Sequence, residues 1–104
     1  MTKQEFIDLL LSVDPKAKPW RGSGDVNFTV FEPTRMIDLM ADGESQEIGW
    51  RIYVNRFTKN PEDPIISQIT AALSGRDEIC YQIVETAFDQ DTGYFHFIWE
   101  CEVV

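Results

Sequence analysis

One histidine, two cysteines and three clusters of carboxylates are the side chains of this 104-residue chain that could carry chemistry. His96 is the side chain whose ordinary pKa lies near neutrality, as a general acid–base requires. It lies in "GYFHFIWECEV", where Phe95, Phe97, Trp99, Cys101 and Val103 alternate with Tyr94, His96, Ile98, Glu100 and Glu102. Such alternation is a β-strand with one apolar face, and it puts His96 on the other face, beside Tyr94 and Ile98. No motif places a serine or cysteine beside it. A histidine on a sheet surface is therefore the simpler expectation, and a small enzyme with a site assembled from dispersed residues around His96 is the alternative.

The remaining candidates also have plain structural explanations. Cys80 and Cys101 fall on two strands expected to pair, and a one-residue change of register decides whether they face each other. A structural metal site takes more Cys and His ligands than this chain owns, so both cysteines are expected as small core residues. The carboxylates of "DGESQE" (42–47), "PEDP" (61–64) and "DQD" (89–91) lack the twelve-residue calcium-loop spacing with its closing Glu and suit solvated turns. "GSG" (22–24) lacks the GK[ST] ending of a phosphate loop. Trp20, in the basic stretch "KAKPWRG", has two expectations: an interface anchor beside Arg21, or an indole folded back over one end of a sheet. The sequence contains no enzyme signature, metal set or cofactor motif.

The elements that must position these residues follow from pattern. Thr2 with Glu5 is a capping box, and Phe6, Leu9, Leu10 and Val13 recur at helical spacing until Asp14-Pro15. Residues 14–25 read as a loop, and "VNFTVFE" (26–32) as a strand closed by Pro33. Two further strands, about 35–41 and 47–57, are joined at Asp42-Gly43. In the second of these, Trp50, Ile52 and Val54 share one face and Arg51, Tyr53 and Asn55 the other. A second helix opens at Asn60-Pro61 or Asp63-Pro64, carries Ile65, Ile66, Ile69, Ala72 and Leu73 on one stripe, and stops at Gly75. Strand 78–88 then turns through "DQDTG" into the last strand. The order α-β-β-β-α-β-β predicts an α+β fold: an antiparallel sheet of four to five strands with both helices on one face, in a single domain spanning 1–104. Phe95, Phe97, Trp99 and Val103 are the expected core, facing Ile65, Ile69 and Leu73 and the Phe6/Leu10 side of the first helix.

Composition sets limits on partners. Hydrophobic residues make up 43% of the chain, in the globular range, and no apolar run approaches a membrane span. Glu5 and Asp8 interrupt the apolar N-terminal stretch, which argues against a secretory signal. Net charge is −9, and it is unevenly spread: 1–59 hold eight Lys/Arg and nine Asp/Glu, while 60–104 hold Arg76 alone against nine acids. A surface of this sign repels phosphate backbones, so sequence-specific nucleic-acid binding is not expected.

Three stretches together resemble the small tail-completion proteins of long-tailed bacteriophages, the tail terminators and tail-to-head joining proteins. They are the helix "TKQEFIDLLLSV" with its proline-bearing loop and following strand, the strand-turn-helix "WRIYVNRFTKNPEDPIISQITAAL", and the closing "AFDQDTGYFHFIWECEV". The resemblance implies a non-enzymatic structural part of the virion, present in host cytoplasm during assembly. It implies a ring, commonly of six copies, that closes the tail tube and meets the head connector, with no cofactor, catalytic residue or membrane contact. Such proteins often project a long hairpin or loop into neighbours, here about Met36 to Phe57. An acidic channel lining would also let DNA slide without sticking. Interface residues are expected at Trp20, Arg21, Asp42, Gly43, Glu44, Gln46, Trp50 and Tyr53. The competing expectation is an acidic inhibitor or DNA mimic that blocks a basic nucleic-acid-binding protein.

Overall fold

The Thr2 hydroxyl accepts the Glu5 N–H at 3.1 Å, and the Glu5 carboxylate accepts the Thr2 N–H at 3.1 Å, so the first helix, α1 (Lys3–Val13), opens on a complete capping box. The computed structural model describes residues 1–39 and 45–103, with side chains for 1–35 and 49–103. After α1 come β1 (Lys18–Pro19), β2 (Phe28–Leu39), β3 (Ser45–Thr58), α2 (Pro64–Ser74), β4 (Ile79–Phe88) and β5 (Phe95–Val103). The fold is α+β. Five strands form one sheet in the order β1-β2-β3-β5-β4, which puts β5 between β3 and β4.

Two expectations about the strands need correction. The sheet is mixed, because β1 runs parallel to β2, with Lys18 opposite Val30 and Pro19 opposite Phe31. This two-residue strand lies inside the stretch expected as loop. The segments expected as two strands on either side of Pro33 form one strand, β2, in which Pro33 stands opposite Ile52. The Phe31 carbonyl points away from β3, toward β1, and accepts the Trp20 N–H at 3.0 Å. Residue 33 has the same orientation, so the N–H that proline lacks would face the sheet edge beyond β1, where no bond is lost.

The core lies between α1, α2 and one sheet face. Phe6 and Leu10 of α1 and Ile69 and Leu73 of α2 join Phe31, Ile52, Val54, Ile79, Trp99, Cys101 and Val103 in one buried cluster. Trp99 is fully buried, and its indole N–H donates to the Thr70 hydroxyl at 3.1 Å. Phe97 packs partly against the cluster, whereas Phe95 is half-exposed and lies tilted against Phe88, ring centroids 4.6 Å apart. The two cysteines separate. Tyr81 pairs with Cys101 and Cys80 with Glu102, so Cys101 faces the core while Cys80 is exposed on the other face; both are free thiols. Burial pushes the Cys101 thiol up to about 12. The expectation that both are core residues therefore fails for Cys80, whose side is set by register.

A single guanidinium joins both helices to the sheet. Arg56 of β3 points into the helix side and is almost fully buried. Its Nε and Nη2 donate to one Asp63 oxygen at 3.0 and 2.9 Å, and Nη1 donates to Asp14 at 3.3 Å and to the Thr29 hydroxyl at 3.2 Å. Asp63 is the N-cap of α2, its other oxygen accepting the Ile65 N–H at 2.9 Å, and Asp14 is the C-cap of α1. Burial opposes the charge on Asp63. The Ile65 N–H, the Thr58 hydroxyl and Arg56 outweigh it and hold the carboxyl below its ordinary value.

Candidate functional site on the open sheet face

Among the described residues no helix lies on the second face of the sheet, and its strand side chains are ordered by register. Each register row crosses β2, β3, β5 and β4 in turn. Phe28, Phe57, His96 and Ala87 form one row, and Val30, Asn55, Ile98 and Glu85 the next. Glu32, Tyr53, Glu100 and Gln82 follow, then Thr34, Arg51, Glu102 and Cys80. The face therefore grades from aromatic, near the β4–β5 turn, to charged at the opposite end.

The aromatic end is a stack. Phe28 lies on Phe57 at 5.0 Å and Phe57 on His96 at 4.1 Å, with Tyr94 edge-on to both phenylalanines at 6.0 and 6.3 Å. Tyr94 is anchored by its hydroxyl, which donates to the Val26 carbonyl, and Lys59 sits 5.0 Å from its ring. The turn that delivers Tyr94 closes with the Gly93 N–H on the Asp89 carbonyl at 2.8 Å and Gly93 at φ 79°, where a Cβ would be strained. Phe28, Phe57, Phe88, Tyr94 and His96 line a shallow groove of about 380 Å³ with Asp89 and Thr92 at its rim.

His96 sits at the floor of that groove. Its Nε2 is 3.1 Å from the Asn55 Oδ1, while the Asn55 Nδ2 donates to the Val30 carbonyl and to Glu32, both at 3.4 Å. With the amide nitrogen so engaged, the imidazole donates Nε2–H and keeps Nδ1 as an acceptor. Burial pulls its pKa below the ordinary 6.5, against weaker pulls from Glu85 and Glu32 in the other direction. The ring is thus a neutral, oriented, stacked group at pH 7. Its hydrogen bond with Asn55 and its stack on Phe57 fix the orientation of the ring.

At the far end, Arg51 forms a cross-strand clasp, with Nη2 2.9 Å from Glu102 and Nε 3.4 Å from Glu100. This pairing neutralises part of the acidic excess of the C-terminal half.

The interface candidates are dispersed. Trp20 and Arg21 are exposed on the loop that follows β1. Trp50 lies on the helix face, packed partly on the core, with the Lys3 ammonium 4.5 Å and the Arg35 guanidinium 5.6 Å from its ring. Tyr53 is half-exposed on the open face. Asp42, Gly43 and Glu44 lie outside the described residues, and Gln46 stands opposite Asp38 in the β2–β3 pair. Alternation in the sequence puts His96, Arg51, Tyr53 and Asn55 away from the core. The stack of Phe28 and Phe57 on His96 has no sequence signal of its own, since it needs the register of three strands. Among the described residues no cluster of three or more His, Cys, Asp or Glu could hold a metal ion, and no helix is long and apolar enough to cross a membrane. No protein-family model matches the chain, and no curated protein matches it.

Proposed function

We propose that this chain is a non-enzymatic assembly protein of the phage tail-completion kind, whose copies form a ring on the tail tube and meet the head connector. The observation that carries the reading is a projecting ribbon. β5 pairs with β3 from Thr58 back to Trp50, and β2 and β3 stay paired past that point, out to Leu39 opposite Ser45. Among the described residues that stretch is a two-stranded ribbon, and a two-stranded hairpin gains stability by packing on something else. The molecule is correspondingly long, 50 Å by 27 Å by 21 Å. A ribbon reaching toward a neighbouring subunit suits a protein whose work is contact. A net charge of −9 suits a ring through which DNA passes.

The test is to add the purified protein to isolated tail tubes and to image tube ends, alongside the protein alone at high concentration. Capped ends or rings are the expected result. Failure of both, with tight and salt-sensitive binding to a basic DNA-binding protein, would replace this reading with the acidic inhibitor. The clasp of Glu100 and Glu102 by Arg51, and of Asp63 by Arg56, already removes several carboxylates from any phosphate-like array.

A further inference from the structure

Five large apolar side chains stand out as exposed among the described residues. Trp20, 63% exposed, directly follows β1 at the first edge of the sheet, while Val26, 64% exposed, lies farther along the connection to β2, where its carbonyl accepts the Tyr94 hydroxyl. Ile83, Val84 and Phe88, 44% to 53% exposed, all belong to β4, the strand at the last edge. Strands β2, β3 and β5 lie between the two edges.

The two sides carry opposite charge. Lys16, Lys18 and Arg21 are exposed around Trp20, where Lys16 pairs with Asp25 at 3.6 Å. Around β4 the exposed acids are Asp77, Glu78, Glu85, Asp89 and Asp91, against Arg76 and, over the Tyr94 ring at the open-face groove, Lys59. Backbone conformation adds to the contrast. Trp20 has φ 66°, a left-handed value that a bulky residue adopts at a cost, and the Phe31 carbonyl holds its N–H there at 3.0 Å. The strain displays an indole to solvent. On the other side β4 is ten residues long, and among the described residues no strand pairs with its outer edge. Phe88 is flanked by two shallow grooves, about 380 Å³ on the open face and about 370 Å³ on the helix face, the second lined by Pro61, Phe95 and Phe97. Either gives an incoming indole an apolar seat.

We propose that the two edges are halves of one contact, in which the β4 edge of one copy receives the Trp20 edge of the next. Charge complementarity decides the partner. A two-fold pair would set acid against acid or base against base, while a head-to-tail contact sets Lys18 and Arg21 against Asp89 and Asp91. Because the halves lie on opposite edges, an assembly keeps one unused half at each end after every contact, and repetition gives a closed ring or an open chain. This deepens the self-association in the function proposed above by naming the surfaces that would join the subunits.

Sedimentation velocity of the purified protein, up to about 1 mM, reads a contact even of millimolar strength. The wild type associates as concentration rises, and added salt weakens the association. Trp20→Ser and Phe88→Ser, both at exposed positions and checked for folding by circular dichroism, each weaken it by about tenfold or more, the range for an interface anchor. Mixed together, the two variants form a one-to-one dimer and nothing larger, because one intact half remains on each. A wild type that stays monomeric throughout, variants that associate as the wild type does, or a mixture that recovers nothing overturns the proposal. Tail tubes are absent from this experiment, so edge-to-edge association can hold while tube capping fails. Conversely, capping retained by both variants would keep the tail reading and remove this contact.

Discussion

Arg56 is the side chain on which most depends. Removing one partner of a buried ion pair leaves the others charged and desolvated, at about 3–5 kcal/mol. Arg56→Met would strand Asp14 and Asp63, each at a helix end, so a loss of this size is expected in the urea unfolding free energy. A loss below about 1 kcal/mol would mean that water reaches both carboxylates and screens them as surface groups. His96 acts in a different way. Its folded pKa is lowered, so the unfolded chain takes up a proton at higher pH than the folded one does. Stability from this source is present above the ordinary 6.5 and is lost as pH falls from there through the folded value. Asp63, lowered from 3.8, adds a second loss, which begins below its own ordinary value. His96→Gln should therefore flatten the urea midpoint against pH just below about 6.5 and leave the steeper acid limb in place. Equal slopes for the two proteins in that range would show that the histidine stays as well solvated as in the unfolded chain.

At the scale of elements, helices were legible from local rules and strands only in part. Thr2 with Glu5 and the apolar stripes of α1 and α2 act within one turn, so spacing alone reveals them, whereas of the two starts open to α2 the structure takes Asp63-Pro64. The alternation of the last strand likewise points to Phe95, Phe97, Trp99 and Val103 as core, which holds for Trp99 and Val103 but not for half-exposed Phe95, and only in part for Phe97. Strand ends depend on what lies alongside. Pro33 reads as a terminator until β2 is seen at the outer side of the ladder, where a missing N–H costs nothing, and β1 exists only because Phe31 offers its carbonyl outward. Cys80 went astray for a related reason, since register with β5 puts it opposite Glu102 on the uncovered face. The aromatic stack was illegible: Phe28, Phe57 and His96 are neighbours only after the β2–β3 and β3–β5 registers are both set. Burial along β5 gives a graded expectation. Trp99→Ala should cost about 3–5 kcal/mol, as for a fully buried large aromatic, whereas Phe97→Ala, only partly covered, should cost clearly less. Denaturant titration of the two variants compares them directly, and equal losses would mean that the helix layer covers more of β5 than its geometry provides.

For the whole molecule, body and ribbon make separable contributions. The body holds the helices, the buried cluster and the Arg56 network, and every strand except β1 is laced into the sheet through β3 or β5. Among the described residues the ribbon beyond Trp50 is held by the β2–β3 ladder. Its register slips at Met36 and Ile37, where Gly49 and Glu47 stand opposite and Ile48 is the extra residue. Such a slip adds local twist and bends the ribbon relative to the sheet. Replacing residues 37–48 by a two-residue Asn-Gly turn would remove this part while leaving the Arg35–Trp50 pair in place. If the ribbon serves contact, the shortened chain should melt within about 4–8 °C of the parent, the shift that about 1 kcal/mol gives a domain of this size. It should fail to cap tail tubes, yet keep the edge-to-edge association of the free protein, whose surfaces around Trp20 and β4 are untouched. A large drop in melting temperature would instead make the ribbon part of the folding unit. Full capping by the shortened chain would leave the tail reading without the observation that supports it.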